Sequence, residues 1–206
     1  MALLFPHDKI RPIQKDMISD IQKALENKEH CIIHAPTGLG KSAASLSAAL
    51  TYALENKKKV FFLTSRHTQH QIAIETLKEI QERHGVAFSV ADIIGKKWMC
   101  LFPGVEELYS NEFSEFCRQT VEAGKCEFYT NTKEGFKFSV LAKKILEEIK
   151  NCIYHAEEIN DICRKDSLCP HEIAMEKLRT ADVIIADYSY IFHPPILDIL
   201  QRKTGI

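Results

Sequence analysis

Short apolar runs mark three places where the sequence predicts a buried β-strand. One run begins at Cys31 and leads into a glycine-rich turn, and the other two span Lys59–Thr64 and Ala181–Asp187. Runs that are apolar throughout, without alternating polar residues, are typical of strands in a parallel sheet that is covered on both faces. The pattern therefore predicts a parallel sheet.

Around these runs, apolar residues recur every three or four positions, which is the spacing of one face of an amphipathic helix. Helices are predicted over Lys15–Asn27, Ala43–Leu54, Ile72–His84, Ser139–Tyr154, Ile173–Leu178 and Ile196–Lys203. Because the helix Ala43–Leu54 lies between two predicted strands, these three elements should form a right-handed βαβ unit. The predicted fold class is α/β, with the parallel sheet flanked by helices.

The middle of the chain breaks this alternation of strands and helices. From about Ile93 to Pro170 strand-like runs are absent, while aromatic residues and six of the seven cysteines appear. These six are Cys100, Cys117, Cys126, Cys152, Cys163 and Cys169. The change predicts a mainly helical domain, residues 93–170, inserted into a sheet domain formed by residues 1–92 and 171–206.

The glycine-rich stretch Cys31–Ser42, which leads into helix Ala43–Leu54, is the motif that most clearly indicates a chemical function. In such a glycine-rich loop the backbone N–H groups and the helix N-terminus hold phosphates, a lysine reaches the β- and γ-phosphates, and a serine hydroxyl binds Mg²⁺. Lys41 and Ser42 are the predicted catalytic residues, with ATP and Mg²⁺ as cofactors. The residues predicted to bind the nucleotide are Ala35, Pro36, Thr37, Gly38, Leu39, Gly40, Lys41 and Ser42.

Polar residues on either side of this loop suggest two further contacts. Gln14, in Arg11-Pro-x-Gln14, either faces the nucleotide base or belongs to a helix start in which Pro12 takes an early position. The second polar group follows the Lys59–Thr64 strand, at the carboxyl end where parallel sheets bind ligands. Its hydroxyl, guanidinium and amide groups suit the phosphates of a nucleic-acid strand, although they would equally suit a solvated loop. This group consists of Thr64, Ser65, Arg66 and Gln69.

Composition and charge limit the classes of protein to which this chain can belong. The formal net charge of −1 gives no global attraction to nucleic acid, so any such binding must come from local basic patches. No apolar run approaches the roughly 20 residues needed to span a bilayer, and no signal peptide is recognisable, so we expect an intracellular protein without a membrane segment. In that setting disulfides are rare, and the seven cysteines are expected to bind metal or to be buried.

The spacing of the cysteines bears on which metal they would bind. Four thiolates can hold a zinc ion or an iron–sulfur cluster. Cys163 and Cys169 are separated by five residues and Cys117 and Cys126 by eight, whereas structural zinc sites usually contain pairs separated by about two to four. The wide spacing favours a larger cluster over zinc without excluding zinc. The alternative of a buried apolar cysteine fits Cys31 and Cys152 well.

Taken together, these motifs resemble those of the XPD-type iron–sulfur DNA helicases of superfamily 2. Ala-x-x-Gly-x-Gly-Lys-Ser, with Ala35 where the general phosphate-loop pattern has glycine, is the helicase variant. The matching segments occur in the family's order: Phe5-Pro6, Arg11–Gln14, Ala35–Ser42, Thr64–Gln69, Met99–Pro103, Cys117, Cys126–Tyr129, Cys169–His171 and Ala181–Tyr190.

The resemblance implies a first RecA-like motor domain over residues 1–92 and 171–206, with an inserted 4Fe–4S domain over 93–170. It implies ATP-dependent 5′–3′ DNA unwinding, of a kind used in DNA repair, with single-stranded DNA as the partner. Lys96 and Lys97 stand where the family often has an arginine that contacts DNA. The implied cluster ligands are Cys100, Cys117, Cys126 and Cys169, and Cys163 is the spare cysteine.

One departure from the family pattern limits what this chain should do alone. No Asp-Glu-Ala-His sequence occurs in it, so the resemblance implies that a missing C-terminal portion, in the same or another chain, supplies that acidic box and the second motor domain. Alone, the chain should bind nucleotide and single-stranded DNA without efficient unwinding or hydrolysis.

Two other readings of the residues stay open at this point. The chain could be a complete small phosphate-loop NTPase in which Asp187, after four apolar residues, holds Mg²⁺ through water, although Asp187 could equally cap the end of its strand. Alternatively, it could be a non-catalytic iron–sulfur module that binds nucleic acid.

Overall fold

The computed structural model describes residues 1–206 and is built around a three-stranded parallel sheet. The strands β1 (Val60–Thr64), β2 (Val90–Ile93) and β5 (Val183–Asp187) lie in the order β1-β5-β2. Val183 at the start of β5 is in register with Val60 on one side and with Val90 on the other. The predicted α/β class with a parallel sheet flanked by helices is therefore confirmed.

The central strand β5 is buried because helices cover both faces of the sheet. Val183 and Ile185 belong to a core shared with helices α2 (Lys41–Asn56) and α3 (His67–His84). Ile184 and Ala186 point to the opposite face and belong to a second, larger core with helix α8 (Pro170–Thr180). This alternation explains the unbroken apolar run in the sequence, since each side of the strand meets its own hydrophobic core.

The helices agree with the predicted ones in place but differ at their ends. Ser139 caps helix α6 (Val140–Ile149) by accepting a hydrogen bond from the Ala142 N–H at 3.1 Å, and that helix stops at Ile149 instead of Tyr154. Pro170 opens α8, which is longer than the predicted Ile173–Leu178, since proline is well suited to a first helical position. The remaining helices are α1 (Pro12–Asn27), α4 (Ser110–Glu122), α5 (Glu127–Thr132), α7 (Ala156–Lys165), α9 (Ser189–Phe192) and α10 (Pro194–Thr204).

The strand β2 was not predicted, whereas the strand predicted at Cys31 is absent. The segment Cys31–His34 is irregular and exposed, and the side chain of Ile32 is 98% accessible. No strand of the structure pairs with this segment, and an extended backbone without a neighbouring strand gains no ladder hydrogen bonds. The predicted βαβ unit around Ala43–Leu54 is therefore wrong, and so is the expected burial of Cys31.

The region 93–170 is mainly helical, and its only strands are the two-residue pair β3 (Lys133–Glu134) and β4 (Lys137–Phe138). Its apolar residues do not form a separate core. Ile145, Ile159 and Cys163 belong to the same hydrophobic cluster as Ile184 of the sheet. The division into an inserted domain and a sheet domain stays a prediction. None of the helices is both long and apolar enough to cross a membrane.

Candidate nucleotide and nucleic-acid sites

The glycine-rich loop 35–40 ends at helix α2 in a conformation that depends on its glycines. Gly38 and Gly40 have φ values of 78° and 80°, in the left-handed region that other residues rarely adopt. Helix α2 begins at Lys41, and its first intrahelical bond runs from the Ala44 N–H to the Gly40 carbonyl at 3.1 Å. The preceding N–H groups have no partner within the helix, which is the arrangement that binds phosphate.

Lys41 and Ser42 lie in the first turn of α2, at the mouth of this loop. The Lys41 ammonium donates hydrogen bonds to the carbonyls of Ala35 at 3.2 Å and Pro36 at 2.8 Å. Both Lys41 and Ser42 are half-buried, so their polar atoms can be reached from solvent. The residues predicted to contact a nucleotide are therefore contiguous in space, and the lysine is held over the loop by backbone carbonyls.

The segment Arg11–Gln14 lies directly against the loop. The Arg11 guanidinium donates to the Gly38 carbonyl at 3.1 Å, and the buried Gln14 amide is so close to Gly40 that a β-carbon there would lie 2.4 Å from Nε2. The Gln14 side chain also caps α1, since its Oε1 accepts the Arg11 N–H at 3.0 Å, and Pro12 is the first residue of that helix. Gln14 thus serves the helix start, and its contact with the nucleotide base stays a prediction.

The polar residues Thr64–Gln69 run from the last residue of β1 through a short turn into the first residues of α3, and we call this segment the Thr64–Gln69 loop. Thr64 is buried, and its hydroxyl bonds to the Gln69 side chain and accepts the Arg66 N–H at 3.3 Å. Ser65, Arg66 and Gln69 are exposed. The Thr64 hydroxyl therefore shapes the loop from inside, while the other three side chains face solvent where a nucleic-acid strand could reach them.

A second, partly exposed segment, the 3₁₀ turn Lys96–Met99, lies next to this loop, with Lys96 and Trp98 exposed and Met99 buried. The rings of His67 and Trp98 meet edge to face with centroids 6.1 Å apart. Lys97 lies 5.4 Å from the centre of the Trp98 ring and donates to the carbonyls of Glu106 at 3.1 Å and of Leu108. Trp98 is 60% exposed, so the turn offers solvent an aromatic face beside a cation.

The four cysteines assigned as ligands by resemblance line a single cavity. It has a volume of about 30 Å³ and is otherwise mostly apolar, with Phe113 and Tyr129 among its walls. Lys96 lines it too and lies close to Cys117, so this lysine faces the cysteines. Cys163 is fully buried in the large core and does not line the cavity. The cysteines that do are Cys100, Cys117, Cys126 and Cys169.

The electrostatics of this cavity favour neutral thiols when no metal is bound. Burial raises the pKa of Cys100 and Cys126, and it raises the pKa of Cys169 to about 12. Metal binding to these thiols must therefore release protons. No group of three or more His, Cys, Asp or Glu side chains in the chain is placed as ligands to one metal ion. The cavity gathers four sulfur donors, but it is not a preformed site for a single ion.

Asp187 lies at the end of β5, where it holds neighbouring segments in place. Its Oδ2 accepts the Gly95 N–H at 3.1 Å, and its Oδ1 lies 3.5 Å from His70 Nε2. It forms no hydrogen bond or ion pair with Lys41 or Ser42. These partners agree with the role of a residue that caps a strand end.

Sequence reasoning missed the buried polar group around His70. Its Nδ1 lies 2.5 Å from Asp92 Oδ1, and both side chains are fully buried. Burial alone would lower the pKa of His70, but the nearby Asp187 and Asp92 outweigh it and raise the pKa to about 9. The one available signal was Asp92 itself, a carboxylate inside the apolar run Val90–Ile94.

Comparisons with known proteins identify the family. The sequence model of the DEAD_2 family matches residues 62–205. The helicase subunit XPD/RAD3 of the general transcription and DNA repair factor IIH from Saccharomyces cerevisiae is 24% identical over the whole chain. A probable ATP-dependent helicase from Methanocaldococcus jannaschii is 38% identical over 84 residues, 41% of this chain and 13% of its own length.

Solved structures agree on the fold. A structure of truncated XPD superposes with a TM-score of 0.55 at 22% identity, covering 92% of this chain and 48% of the other. The chain spans 28% of the length of the yeast relative. With a family match over more than half of its residues, the chain belongs to the DEAD_2 family and corresponds to the N-terminal portion of an XPD-type helicase.

Proposed function

We propose that this chain is the ATP-binding, strand-contacting part of an ATP-dependent 5′–3′ DNA helicase that acts in DNA repair. The observation that carries the proposal is the loop 35–42, in which two left-handed glycines and the start of α2 place Lys41 and Ser42 together. Membership of the DEAD_2 family supports helicase activity for the complete protein.

In this proposal the loop binds the phosphates of ATP. The free N–H groups at the start of α2 would donate hydrogen bonds to the phosphate oxygens, and the Lys41 ammonium would exchange its two carbonyl partners for phosphate oxygens. Ser42 would hold Mg²⁺, which supplies charge neutralisation at the phosphates. Attack by water also needs an acid that orients it and a cation opposite the γ-phosphate, and related enzymes gain roughly 10³–10⁵ in rate from such a cation. We assign both groups to the rest of the helicase.

We propose that Cys100, Cys117, Cys126 and Cys169 hold a 4Fe–4S cluster. Their convergence on one cavity supports this, since a cluster distributes its four ligands over several metal atoms while zinc needs all of them around one ion. The four residues come from α4, from the N-caps of α5 and α8, and from the end of the Lys96–Met99 turn. Their bonds to a cluster would cross-link these four elements.

Single-stranded DNA is the proposed partner of the Thr64–Gln69 loop and the adjoining Lys96–Met99 turn. Arg66 would contact phosphates, and Trp98 offers a face on which a base can stack. Lys97 adds positive charge beside that ring. Because few phosphates are neutralised, affinity should fall only shallowly with salt, with a slope of about −0.7 per contact for single strands.

The rest of the helicase is also the proposed partner of the segment Cys31–His34. One edge of β1 has no neighbouring strand, and the apolar Cys31–Ile33 is exposed. An open strand edge and an exposed apolar segment both favour pairing with further chain. We propose that additional strands of the complete helicase cover both features. The alternative of a complete small NTPase is disfavoured, because Asp187 is bound to Gly95 and His70.

Thermal unfolding with and without MgATP tests the nucleotide site. At 100 times the Kd, ligand binding adds about 2.7 kcal/mol, which for a chain of this size raises the Tm by about 5–10 °C. Lys41→Ala should abolish that shift, while Lys58→Ala, at an exposed lysine beyond the end of α2, should retain it. Steady ATP turnover that disappears in Asp187→Ala would refute the proposal in favour of a complete NTPase.

A further inference from the structure

A buried polar network lies at the carboxyl edge of the sheet. His70, in the first turn of α3, lies between Asp92 of β2 and Asp187 of β5. Asp92 Oδ2 also accepts the Ala156 N–H at 2.8 Å and lies 3.7 Å from Nε2 of His155, the N-cap of α7. One imidazole thus joins a helix to the ends of two strands.

This network connects the two segments that are proposed to contact DNA. His70 follows the Thr64–Gln69 loop directly, within the first turn of α3, so its position constrains where that loop lies. Asp187 binds the Gly95 N–H, which immediately precedes the Lys96–Met99 turn. Asn160 of α7 donates to the Trp98 carbonyl at 3.1 Å, which holds the other side of the turn. The loop and the turn then meet at the His67–Trp98 contact.

The charges around His70 suit an imidazolium. Asp92 and Asp187 face it from the two strands, while His67 from its own helix and His155 from α7 lie with ring centroids 6.0 and 6.5 Å away. The titratable groups beyond this shell are Lys177, Glu158 and Tyr190, and burial raises the pKa of Tyr190 so that its hydroxyl stays neutral. Two buried carboxylates without a cation between them would repel each other and lose their solvation.

Two atoms of the network have no hydrogen bond. His70 Nε2 and His155 Nε2 are buried, and their nearest carboxylates are 3.5 and 3.7 Å away. An unsatisfied buried polar group destabilises the fold, so these two nitrogens contribute to the network by charge and not by hydrogen bonds. A charge-based link of this kind depends directly on the protonation of His70.

We propose that His70 is a positioning residue: by bridging Asp92 and Asp187 it fixes the Thr64–Gln69 loop and the Lys96–Met99 turn so that one DNA strand contacts both. The proposal rests on the proposed DNA-binding function. His70 touches no DNA itself, and it acts through the two segments that it ties to the sheet.

Binding of fluorescent oligo(dT) to the 206-residue chain tests this role. His70→Gln should weaken binding about tenfold. This is the effect expected when one of the two joint contacts is lost, since a single stacked base contributes about that much to affinity. His30→Gln, at an exposed histidine, should bind like the wild type.

The pH profile separates positioning from a merely structural role. Wild-type affinity should fall between pH 7.5 and 9.5 as His70 loses its proton, and His70→Gln should be flat over the same range at a temperature far below its Tm. Equal pH profiles for the two proteins would overturn the proposal.

Amide hydrogen exchange tests the positioning role of His70 independently of DNA binding. If the wild type binds no oligo(dT), the DNA-binding proposal fails, and the link is judged by exchange alone. His70→Gln should then exchange faster in both residues 65–70 and residues 95–99, compared with His30→Gln. Unchanged exchange in the 95–99 segment would show that His70 does not fix the turn and would overturn the inference.

Discussion

The phosphate loop and the cysteine cavity are held in place in different ways. The loop is supported by a small core in which Phe5 and Ile18 pack on alanines of α2, and the segment that enters it is exposed. The cavity adjoins a core of 20 buried residues that also includes the sheet. Local backbone geometry therefore defines the proposed nucleotide site, whereas the proposed cluster site depends on how several helices pack together.

The largest expected effect is the loss of bound iron when a cysteine that lines the cavity is replaced. Chain purified without oxygen should be brown and carry about four irons and four sulfides. Cys126→Ser or Cys169→Ser should lose the iron and lower the Tm, because four elements lose their cross-link. The measurements are iron analysis, the visible spectrum and thermal unfolding.

Matched controls for this experiment lie elsewhere in the chain. Cys31→Ser, at an exposed cysteine, and Cys152→Ser should keep the colour. Cys163→Ser should keep it too, since Cys163 does not line the cavity, although the buried hydroxyl will lower stability. A colourless protein that contains zinc, or bleaching by Cys163→Ser and not by Cys117→Ser, would contradict the assigned ligands.

The prediction of intermediate size concerns how much the charge of His70 stabilises the carboxyl edge of the sheet. The pKa of His70 is raised to about 9 in the folded chain, above the unfolded value of about 6.5. Its stabilisation is therefore complete below pH 6.5 and disappears as the pH rises through 9. Between pH 6 and 10 the wild type should lose roughly 3 kcal/mol more than His70→Gln does, as measured by urea unfolding. Parallel pH curves for the two proteins would exclude a charged His70.

The smallest expected effect probes the backbone geometry of the phosphate loop. Alanine at Gly38 or Gly40 must adopt a left-handed conformation, which costs about 1–2 kcal/mol. Gly40→Ala should cost about 1 kcal/mol more, because its β-carbon displaces the Gln14 amide from the Arg11 N–H. Urea unfolding measures both, and adding Gln14→Ala should remove the difference. Equal costs for Gly38→Ala and Gly40→Ala would show that Gln14 moves freely.

Local signals were enough to predict much of the fold. The run Ala181–Asp187 became the central strand, and the six predicted helices lie in the right places because periodicity reports the buried face of each element, whereas α4, α5, α7 and α9 were not predicted individually. The failures depended on partners that are distant in sequence. The segment at Cys31 has an apolar pattern but no strand beside it, and β2 is short and contains Asp92.

The candidate sites show the same difference between residues that are close in sequence and residues that only the fold brings together. The glycines and Lys41 of the phosphate loop are contiguous in sequence, so their motif is visible without a structure. The four cavity cysteines were assigned by family resemblance, and the fold was needed to see that they line one cavity. His70, Asp92 and Asp187 are far apart in sequence, and only the sheet brings them together.

The position of Trp98 gives the protein a built-in optical probe. It is the only tryptophan in the chain, and it is partly exposed at the point where the Thr64–Gln69 loop and the Lys96–Met99 turn meet. Excitation of indole therefore reports on this junction alone, without any attached dye. A base stacked on the ring or a separation of the Thr64–Gln69 loop from the Lys96–Met99 turn would each change the emission, so titrations with DNA and with alkali can be followed through one intrinsic fluorophore.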